Sequence, residues 1–217
     1  TDVPLGVFLS GGVDSSLVTA MMAKLISPSQ IHAFSIGFNE KGFDESIYSG
    51  MVAKYLKINH HLKIFSPKEV LNLIPKIACF LDEPMSDPSI LPTYLLSSFA
   101  RESVKVALSG DGGDESFAGY PKYLAQLLLK ISRLEKLPLY LARGFFASKI
   151  NTFLRYSSYP LHLRNQLWIS HIPLQDTRRL LKEKADYFED IERYHQIFNG
   201  TDPVDEALFI DQKMTLP

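Results

Sequence analysis

Residues 7–18, VFLSGGVDSSLV, most restrict the fold, because two consecutive glycines, an aspartate and three serines interrupt an otherwise apolar run. The preceding segment, Leu5–Leu9, predicts a short buried strand. The following segment, Ser16–Ile26, is rich in Leu, Met and Ala and predicts a helix. The tight loop between them is rich in hydrogen-bond donors, which predicts a binding site for a small and highly charged group.

The first 120 residues repeat this alternation of short β-like runs and helical stretches, which predicts an α/β fold with a doubly wound parallel sheet. The strand candidates are Leu5–Leu9, Ile31–Ile36, His60–Phe65 and Val104–Leu108. Helices are predicted over the apolar three-and-four pattern of residues 48–56, after the capping box Ser66-Pro67-Lys68-Glu69, and after Asp87-Pro88. From residue 121 the strand-like runs stop while helical spacing continues. We therefore predict an α/β core over residues 1–120 and a mostly helical lobe over residues 121–217.

Two similar loops follow the first and the fourth predicted strands. A doubly wound sheet binds ligands at the carboxyl ends of its strands, where the strand order reverses. With the usual 3-2-1-4 order, the first and fourth strands are neighbours at that point. The first strand leads into residues 10–16, SGGVDSS, and the fourth into residues 109–115, SGDGGDE. The two loops are therefore predicted to face each other across one crevice.

The residue types in these loops suit a magnesium pyrophosphate group. Glycine lets backbone N–H groups approach an anion closely, while serine hydroxyls and the following helix N-terminus add donors and a favourable dipole. Carboxylates beside a phosphate would repel it unless a cation lies between them. We therefore predict Mg²⁺ with oxygen ligands from Asp14 and Asp114.

Two other phosphate-binding patterns fit less well. Gly6 and Gly11 have the spacing that opens a Walker A loop, but Gly12 stands where that motif requires lysine. The glycines of residues 110–113 do not form GxGxxG, so a dinucleotide-binding fold is not supported. That both loops are simply glycine-rich turns stays open as the structural alternative.

Composition excludes several classes of protein. A net charge of −1 and a pI near 6.6 lack the basic character of a nucleic-acid-binding protein. No apolar run reaches the ~18 residues of a membrane span, and no basic-then-apolar leader opens the chain, so a cytoplasmic location is expected. Cys79 is the only cysteine, which excludes a disulfide framework, and its apolar surroundings predict a small core residue. His60 and His61 would point to opposite faces of a strand, which disfavours a shared metal site.

Other acidic and aromatic residues have two interpretations each. The acidic residues of segment 82–87 could line a substrate pocket or only end a helix. Asp44 and Glu45 could contribute to a site or only start a helix as partners of its dipole. Trp168 and the aromatic residues of segment 145–159 are predicted to belong to a core.

The first loop, Ser10-Gly11-Gly12-Val13-Asp14-Ser15, resembles the SGGxDS pyrophosphate loop of the N-type ATP pyrophosphatases, the PP-loop superfamily. The second loop, within VALSGDGGDESFAGY, is similar to that of asparagine synthetase of the glutamine-hydrolysing type. The segments FSIGF, FDES, DEPMSDPS, PTYLLS and FIDQKMTLP also resemble that family. All of these segments except the later FIDQKMTLP lie in order within residues 4–120, and the resemblance implies an adenine nucleotide alpha-hydrolase-like fold.

The resemblance implies a ligase reaction in two steps. The side-chain carboxylate of aspartate attacks the α-phosphorus of ATP, which gives β-aspartyl-AMP and pyrophosphate. Ammonia then displaces AMP and gives asparagine. Positioning and neutralisation of charge on the leaving pyrophosphate would supply most of the catalysis.

Matched position by position, the resemblance also implies the site residues. Pyrophosphate and its magnesium would be bound by Ser10, Gly11, Gly12, Asp14, Ser15 and Ser16. The adenosine would contact backbone groups of Leu9 and Ile36, with Ser109 and Gly110 closing the nucleotide site. Asp114 would be the second magnesium ligand. Asp111 would help to form the intermediate or accept a proton from the attacking ammonia.

The same resemblance implies partners beyond this sequence. Glutamine-hydrolysing relatives carry an amino-terminal glutaminase domain with a cysteine nucleophile, whereas residue 1 here is Thr. They also supply a catalytic lysine from a segment after the position of TLP, a role that is not reassigned to Lys213. We therefore expect a fragment that is inactive or weakly active alone. Its expected partners are aspartate, ammonia and a glutaminase domain, without nucleic acid or membrane, and a homodimer stays open.

Three alternative functions remain beside this one. The β-lactam synthetases are the nearest, but they have tyrosine at the position of Asp111. A tRNA-thiolating enzyme would need reactive cysteines and a basic face, and the sequence shows neither. A non-catalytic ATP-binding paralogue is disfavoured because Asp14 and Asp114 are both intact.

Overall fold

The computed structural model describes residues 2–39, 44–82, 87–132, 153, 155–170, 172–180 and 188–216. The chain divides into two compact units, Thr1–Asp111 and Gly112–Pro217. The division falls inside the second glycine-rich loop. The predicted boundary at residue 120 stays a prediction.

The first unit contains a four-stranded sheet with the order β3-β2-β1-β4. All three pairings are parallel, and Val7 lies opposite Ala33 on one side and Leu108 on the other. The strands are β1 (Leu5–Phe8), β2 (His32–Phe38), β3 (Asn59–Phe65) and β4 (Val106–Leu108). The predicted α/β class and strand order are confirmed. The carboxyl ends of β1 and β4 are therefore neighbours.

Four helices connect these strands: α1 (Val13–Leu25), α2 (Ser46–Leu56), α3 (Pro67–Ala78) and α4 (Ile90–Ala100). A short 3₁₀ turn, Pro28–Gln30, precedes β2. The predicted helices in these places are confirmed, and α1 begins earlier than predicted. Val13, Asp14 and Ser15 thus lie in its first turn, because the helix starts directly after the second glycine of the loop.

The central strands are buried on both faces. Val7, Ile31 and Ala33 are fully buried and pack with Met22 of α1 and Ala53 of α2. Phe34 forms the opposite face of the core with residues of and after α4. Full burial of side chains of this size contributes about 1.5–3 kcal/mol each. This packing holds the carboxyl ends of β1 and β2 as a firm base for the loops that follow them.

Helix α2 presents its large apolar residues outward. Tyr48, Met51 and Tyr55 are 62%, 64% and 85% exposed, whereas Ser49 and Ala53 are buried. The small residues allow the helix backbone to come close to its neighbours, which larger side chains on that face would prevent. The three-and-four spacing therefore predicted the helix correctly but did not identify the side that packs.

Helix α3 begins with the predicted capping box. Glu69 N donates to Ser66 Oγ at 3.4 Å, and Ser66 N donates to Glu69 Oε2 at 2.8 Å. The Ser66 hydroxyl also donates to Glu69 Oε2 at 2.7 Å, and this bond, followed by the one from Ser66 N, lowers the pKa of Glu69. The prediction that Cys79 is a core residue is wrong, because it lies after the last turn of α3 and is exposed. Only Ile77 of that helix is buried.

In its described residues, the second unit consists of helices α5 (Gly113–Phe117), α6 (Pro121–Ser132), α7 (Leu161–Ile169), α8 (Leu174–Leu180), α9 (Glu189–Ile197) and α10 (Pro203–Thr215). Tyr156, Leu163, Leu167 and Ile210 belong to its hydrophobic core, against which Trp168 packs. The core prediction for Trp168 is therefore confirmed, whereas Phe145 lies outside the described residues.

A buried polar network crosses this unit at Asp211, which is 0% exposed. Its carboxylate accepts hydrogen bonds from Tyr123, Asn165 and Gln166 and lies 2.8 Å from Lys122 Nζ. Burial, reinforced by the hydrogen bond to Asp211, raises the pKa of Tyr123. The network fixes α6, α7 and α10 relative to one another.

No helix among the described residues combines the length and apolar character needed to cross a membrane.

Candidate functional site

The first loop is folded around Gly11, whose φ is +90°. A Cβ at this position would lie 2.5 Å from Tyr48 Cβ and 2.6 Å from Ser49 N. Both the backbone conformation and this close approach to α2 therefore require glycine. Gly11 places the end of β1 next to the first turn of α2.

Serine hydroxyls hold the loop in shape. Ser10 Oγ lies 2.9 Å from Ser15 Oγ and accepts a hydrogen bond of 3.1 Å from Gly12 N. Ser15 Oγ also lies 3.3 Å from Gly12 O. These hydrogen bonds within the loop hold its shape without a contribution from a ligand.

The amino-terminus of α1 opens at Gly12 without a side-chain cap among the described residues. The first backbone N–H groups of a helix have no intrahelical acceptor, and the helix dipole adds partial positive charge at that end. An uncapped N-terminus behind a glycine-rich loop is therefore suited to an anion such as phosphate.

The second loop contacts the first through Gly110. A Cβ on Gly110 would lie 2.7 Å from Ser15 N and 3.1 Å from Asp14 C. The backbone of Gly110 therefore lies directly against the first turn of α1. Asp111 N donates to Ser109 Oγ at 3.4 Å, which bends the loop back on itself. The predicted meeting of the two loops is confirmed for residues up to Asp111.

A cavity of about 380 Å³ opens at this edge of the sheet. The predicted site residues that line it are Leu9, Ser10, Gly12, Asp14, Ser15, Ile36, Ser109, Gly110 and Asp111. Gly11 and Ser16 do not line it. Gly11 acts through its close approach to α2, and Ser16 faces a small groove with Ala20 and Met51.

Glu45 also lines the cavity, as one of its two interpretations allowed, whereas several other lining residues were not expected from the sequence: Phe8, Ser35, Phe38, Ser49, Pro92, Thr93 and Leu96. Ser35 and Ser49 are buried polar residues on elements that carry apolar neighbours. For Ser35, the only indication in the sequence was a serine inside the mostly apolar segment that forms β2. Thr93 and Leu96 come from α4, whose largely apolar sequence gave no such signal.

Ser35 joins the floor of the cavity to a histidine on β3. Its hydroxyl donates to Leu9 O at 2.5 Å, and His60 Nε2 lies 2.9 Å from the same hydroxyl. Because the hydroxyl proton is directed to Leu9, the histidine nitrogen acts as the donor. Burial, followed by the nearby His61, lowers the pKa of His60. This chain of hydrogen bonds orients the peptide at the end of β1.

His61 has a different partner. Its Nε2 lies 2.9 Å from His32 Nδ1, and the two rings stack with centroids 5.1 Å apart. His60 and His61 thus engage separate groups. Within the part of the chain that the structure describes, they do not belong to a common cluster of metal-ligating side chains.

The polar part of the cavity lining offers oxygen atoms and negative charge, beside apolar residues such as Phe8 and Leu96. Its ionisable lining residues are Asp14, Glu45 and Asp111, and no lysine, arginine or histidine is among the described residues that line it. A polyphosphate in this cavity would need a cation to offset these carboxylates. Carboxylate and hydroxyl oxygens are the ligands that Mg²⁺ takes, so the residues present fit this ion.

The remaining acidic candidates have local roles as well. Asp44 accepts hydrogen bonds from the backbone N and hydroxyl of Ser46 and so precedes α2 as a capping group. Asp87 Oδ1 accepts from Ser89 N at 2.8 Å, just before α4. Glu83 lies outside the described residues. Glu45 is the one of this group that lines the cavity.

Asp114 belongs to the second unit, on α5. Gly119 packs against it, since a Cβ there would lie 1.8 Å from Asp114 Oδ1. Its proposed sharing of one cation with Asp14 stays a prediction.

Comparison with known proteins identifies relatives of this chain. The asparagine synthase family model matches residues 1–217. A putative asparagine synthetase (glutamine-hydrolysing) 2 of Methanocaldococcus jannaschii is 45% identical over 141 residues, which are 65% of this chain and 27% of that protein. Asparagine synthetase (glutamine-hydrolysing) 1 of Bacillus subtilis is 44% identical over 130 residues, 60% of this chain and 20% of that protein.

The chain thus spans 27% and 20% of the length of these two curated relatives. Among solved structures, an NH3-dependent NAD synthetase from Campylobacter jejuni superposes with a TM-score of 0.34 and 12% identity. That superposition covers 71% of this chain and 85% of the other. Since the family model covers the whole sequence, this chain belongs to the asparagine synthase family.

Proposed function

We propose that this chain is the ATP-binding part of a ligase that converts aspartate to asparagine through β-aspartyl-AMP. The observation that carries the proposal is the cavity formed where the first loop meets the second, at the uncapped N-terminus of α1. Membership in the asparagine synthase family supports ATP and aspartate as the substrates.

The nucleotide would lie across the carboxyl ends of β1 and β2. Backbone groups of Leu9 and Ile36 border the cavity there and could receive the adenosine. The pyrophosphate end would lie against the N–H groups of residues 13–15 in the first turn of α1, which is the arrangement favourable to an anion. The carbonyl of Leu9 is engaged by Ser35, so this part of the floor is held in one orientation.

Asp14 would hold Mg²⁺, with Asp114 as the predicted second ligand. Bound there, the ion would offset the negative charge of the pyrophosphate leaving group. The protein's own contribution is to keep the Asp14 carboxylate beside the loop N–H groups. Gly110 lies directly behind this turn and prevents its displacement.

The reaction balances as two displacements. An oxygen of the aspartate side chain forms a bond to the α-phosphorus while the bond from that phosphorus to the pyrophosphate oxygen breaks. Ammonia then forms a C–N bond at the activated carbonyl, the C–O bond to AMP breaks, and one proton leaves the nitrogen. Asp111 borders the same cavity and is our candidate for accepting that proton.

The nitrogen source is part of the proposal as well. Relatives of this chain are named glutamine-hydrolysing, so we propose that a glutaminase domain supplies ammonia in the full-length protein. Ammonium salts supply the same nucleophile directly. They therefore allow the proposed chemistry to be measured without glutamine hydrolysis.

The test is release of pyrophosphate and formation of asparagine by the full-length protein with ATP, Mg²⁺, aspartate and ammonium. We expect Asp14→Asn to lower kcat/KM by at least 10²-fold, the effect typical of removing a preorganised charge from a reaction site. Glu102→Gln is the matched control, because it removes an exposed carboxylate of the same unit that does not line the cavity.

Two outcomes would overturn the proposal. Equal loss in Asp14→Asn and Glu102→Gln would mean that the Asp14 carboxylate has no special role. If aspartate supports no pyrophosphate release while a different carboxylic acid does, the protein would be an adenylating synthetase with another substrate.

A further inference from the structure

The second unit carries a cluster of metal-ligating side chains that the proposed reaction does not use. His162 lies on α7, His195 on α9 and Glu206 on α10. One ligand atom from each of these three residues lies within 4.8 Å of the other two. Three separate helices thus bring two imidazoles and a carboxylate to one place.

We propose that His162, His195 and Glu206 bind one divalent transition-metal ion of the zinc type and so join α7, α9 and α10. The two imidazole rings are stacked, with centroids 3.9 Å apart and planes 13° from parallel. His195 Nδ1 is in hydrogen-bond contact with Glu206 Oε1. Two nitrogens and one carboxylate oxygen are a ligand set that proteins use for zinc.

Glu192 lies next to the cluster and would support a metal-bound histidine without binding the metal itself. Glu192 Oε1 lies 3.1 Å from His162 Nε2. A carboxylate only accepts hydrogen bonds, so Nε2 carries the proton and the Nδ1 lone pair is left to act as a ligand. Such a carboxylate–histidine contact is the usual support of a metal-bound imidazole.

Charge in this region favours a cation. Between residues 189 and 206 there are six acidic residues and a single basic one, Arg193. That arginine is paired with Asp190 at 2.9 Å. Because imidazole lone pairs lie in the ring planes, a shared ion requires one of the two near-parallel rings, the more exposed His195, to turn toward it, and the ion would then offset the two glutamates.

The site would differ in chemistry from the nucleotide cavity. Imidazole ligands suit zinc, nickel, copper and cobalt, while Mg²⁺ prefers oxygen ligands. His162 and Glu206 are largely buried, with side chains 10% and 12% exposed, and His195 is 43% exposed. One side is therefore open for the ion to enter, and a water could complete its coordination.

The test uses the full-length protein freed of metal with a chelator and then titrated with Co²⁺, whose visible absorption reports tetrahedral coordination. We expect one Co²⁺ per chain, displaced by one equivalent of Zn²⁺. Affinity should fall at least 10-fold in Glu206→Gln and at least 100-fold in His195→Ala. Glu192→Gln should weaken binding by 10–100-fold, as expected for an outer partner.

The matched control is His61→Gln, which disrupts the other stacked histidine pair, at His32, and should leave cobalt binding unchanged. Zn²⁺ should also raise the unfolding temperature of the wild type by more than that of Glu206→Gln at the same metal concentration, so a variant that only weakens the fold can be recognised. Unchanged cobalt binding in Glu206→Gln and His195→Ala would overturn the proposal. So would the absence of stoichiometric uptake by the wild type, which would leave the cluster as hydrogen-bonded ion pairs only.

Discussion

Replacement of Gly110 by alanine should damage the candidate site, because the added Cβ would lie closer to the first turn of α1 than a van der Waals contact allows. The new Cβ would lie 2.7 Å from Ser15 N and 3.1 Å from both the carbonyl carbon and the Cβ of Asp14. Two of these three neighbours are backbone atoms, so no side-chain rotation relieves the overlap. To restore an ordinary contact distance of 3.4 Å, the two loops must move about 0.7 Å farther apart.

A shift of this size at a reaction site lowers the rate by about 10²-fold, which corresponds to about 2.7 kcal/mol of transition-state stabilisation. We therefore expect kcat/KM for ATP in Gly110→Ala to fall by that factor, measured as pyrophosphate release with saturating aspartate and ammonium. Overpacking should also reduce the free energy of unfolding by about 1–3 kcal/mol.

Gly50→Ala is the control, because no atom lies within 4 Å of a Cβ at Gly50, in the middle of α2. Alanine in a helix interior should stabilise the protein by about 0.5–1 kcal/mol and leave the kinetics unchanged. Wild-type kcat/KM in Gly110→Ala would refute the claim that the two loops are locked together at this contact.

Three further changes test the fold by denaturant unfolding. Ser66→Ala removes one half of the capping box of α3 and should cost about 1 kcal/mol. Asp211→Asn leaves Lys122 buried without its ion-pair partner and should cost about 3–5 kcal/mol, of which Lys122→Met in the same chain should recover a part. Because the pKa of His60 is lowered in the folded state, the unfolded chain takes up its proton first, so the free energy of unfolding should decrease as the pH falls below about 6.5. His60→Gln should make that decrease smaller between pH 7.5 and pH 5.5, and an unchanged pH dependence would contradict the assignment.

The features predictable from sequence are those that depend on local pattern. Alternation of apolar runs with glycine-rich loops predicted the parallel sheet, and the usual order of such sheets predicted that β1 and β4 are neighbours. The capping box at Ser66 was predictable because its contacts span only three residues along the chain. In each case the decisive interactions lie within one segment or follow from a general rule of topology.

Features that depend on distant packing could not be predicted in the same way. Tyr48 and Cys79 are apolar residues in apolar surroundings, yet both are exposed, because small residues and Ile77 form the packed faces of α2 and α3. Ser35 gave little signal as a single serine in an apolar strand. Its role depends on Leu9, just after β1, and on His60 of β3, both distant from it in the sequence.

The uncapped amino-terminus of α1 has a consequence for the life of the protein. In α3 and α10 a side chain satisfies one of the first N–H groups permanently, whereas on the proposed function α1 leaves its first N–H groups to the nucleotide. Substrate would therefore act as a removable part of the fold, adding stability in proportion to the logarithm of its concentration. A cell depleted of ATP would hold a form that opens more readily to proteases, so that energy supply would govern the amount of enzyme as well as its rate.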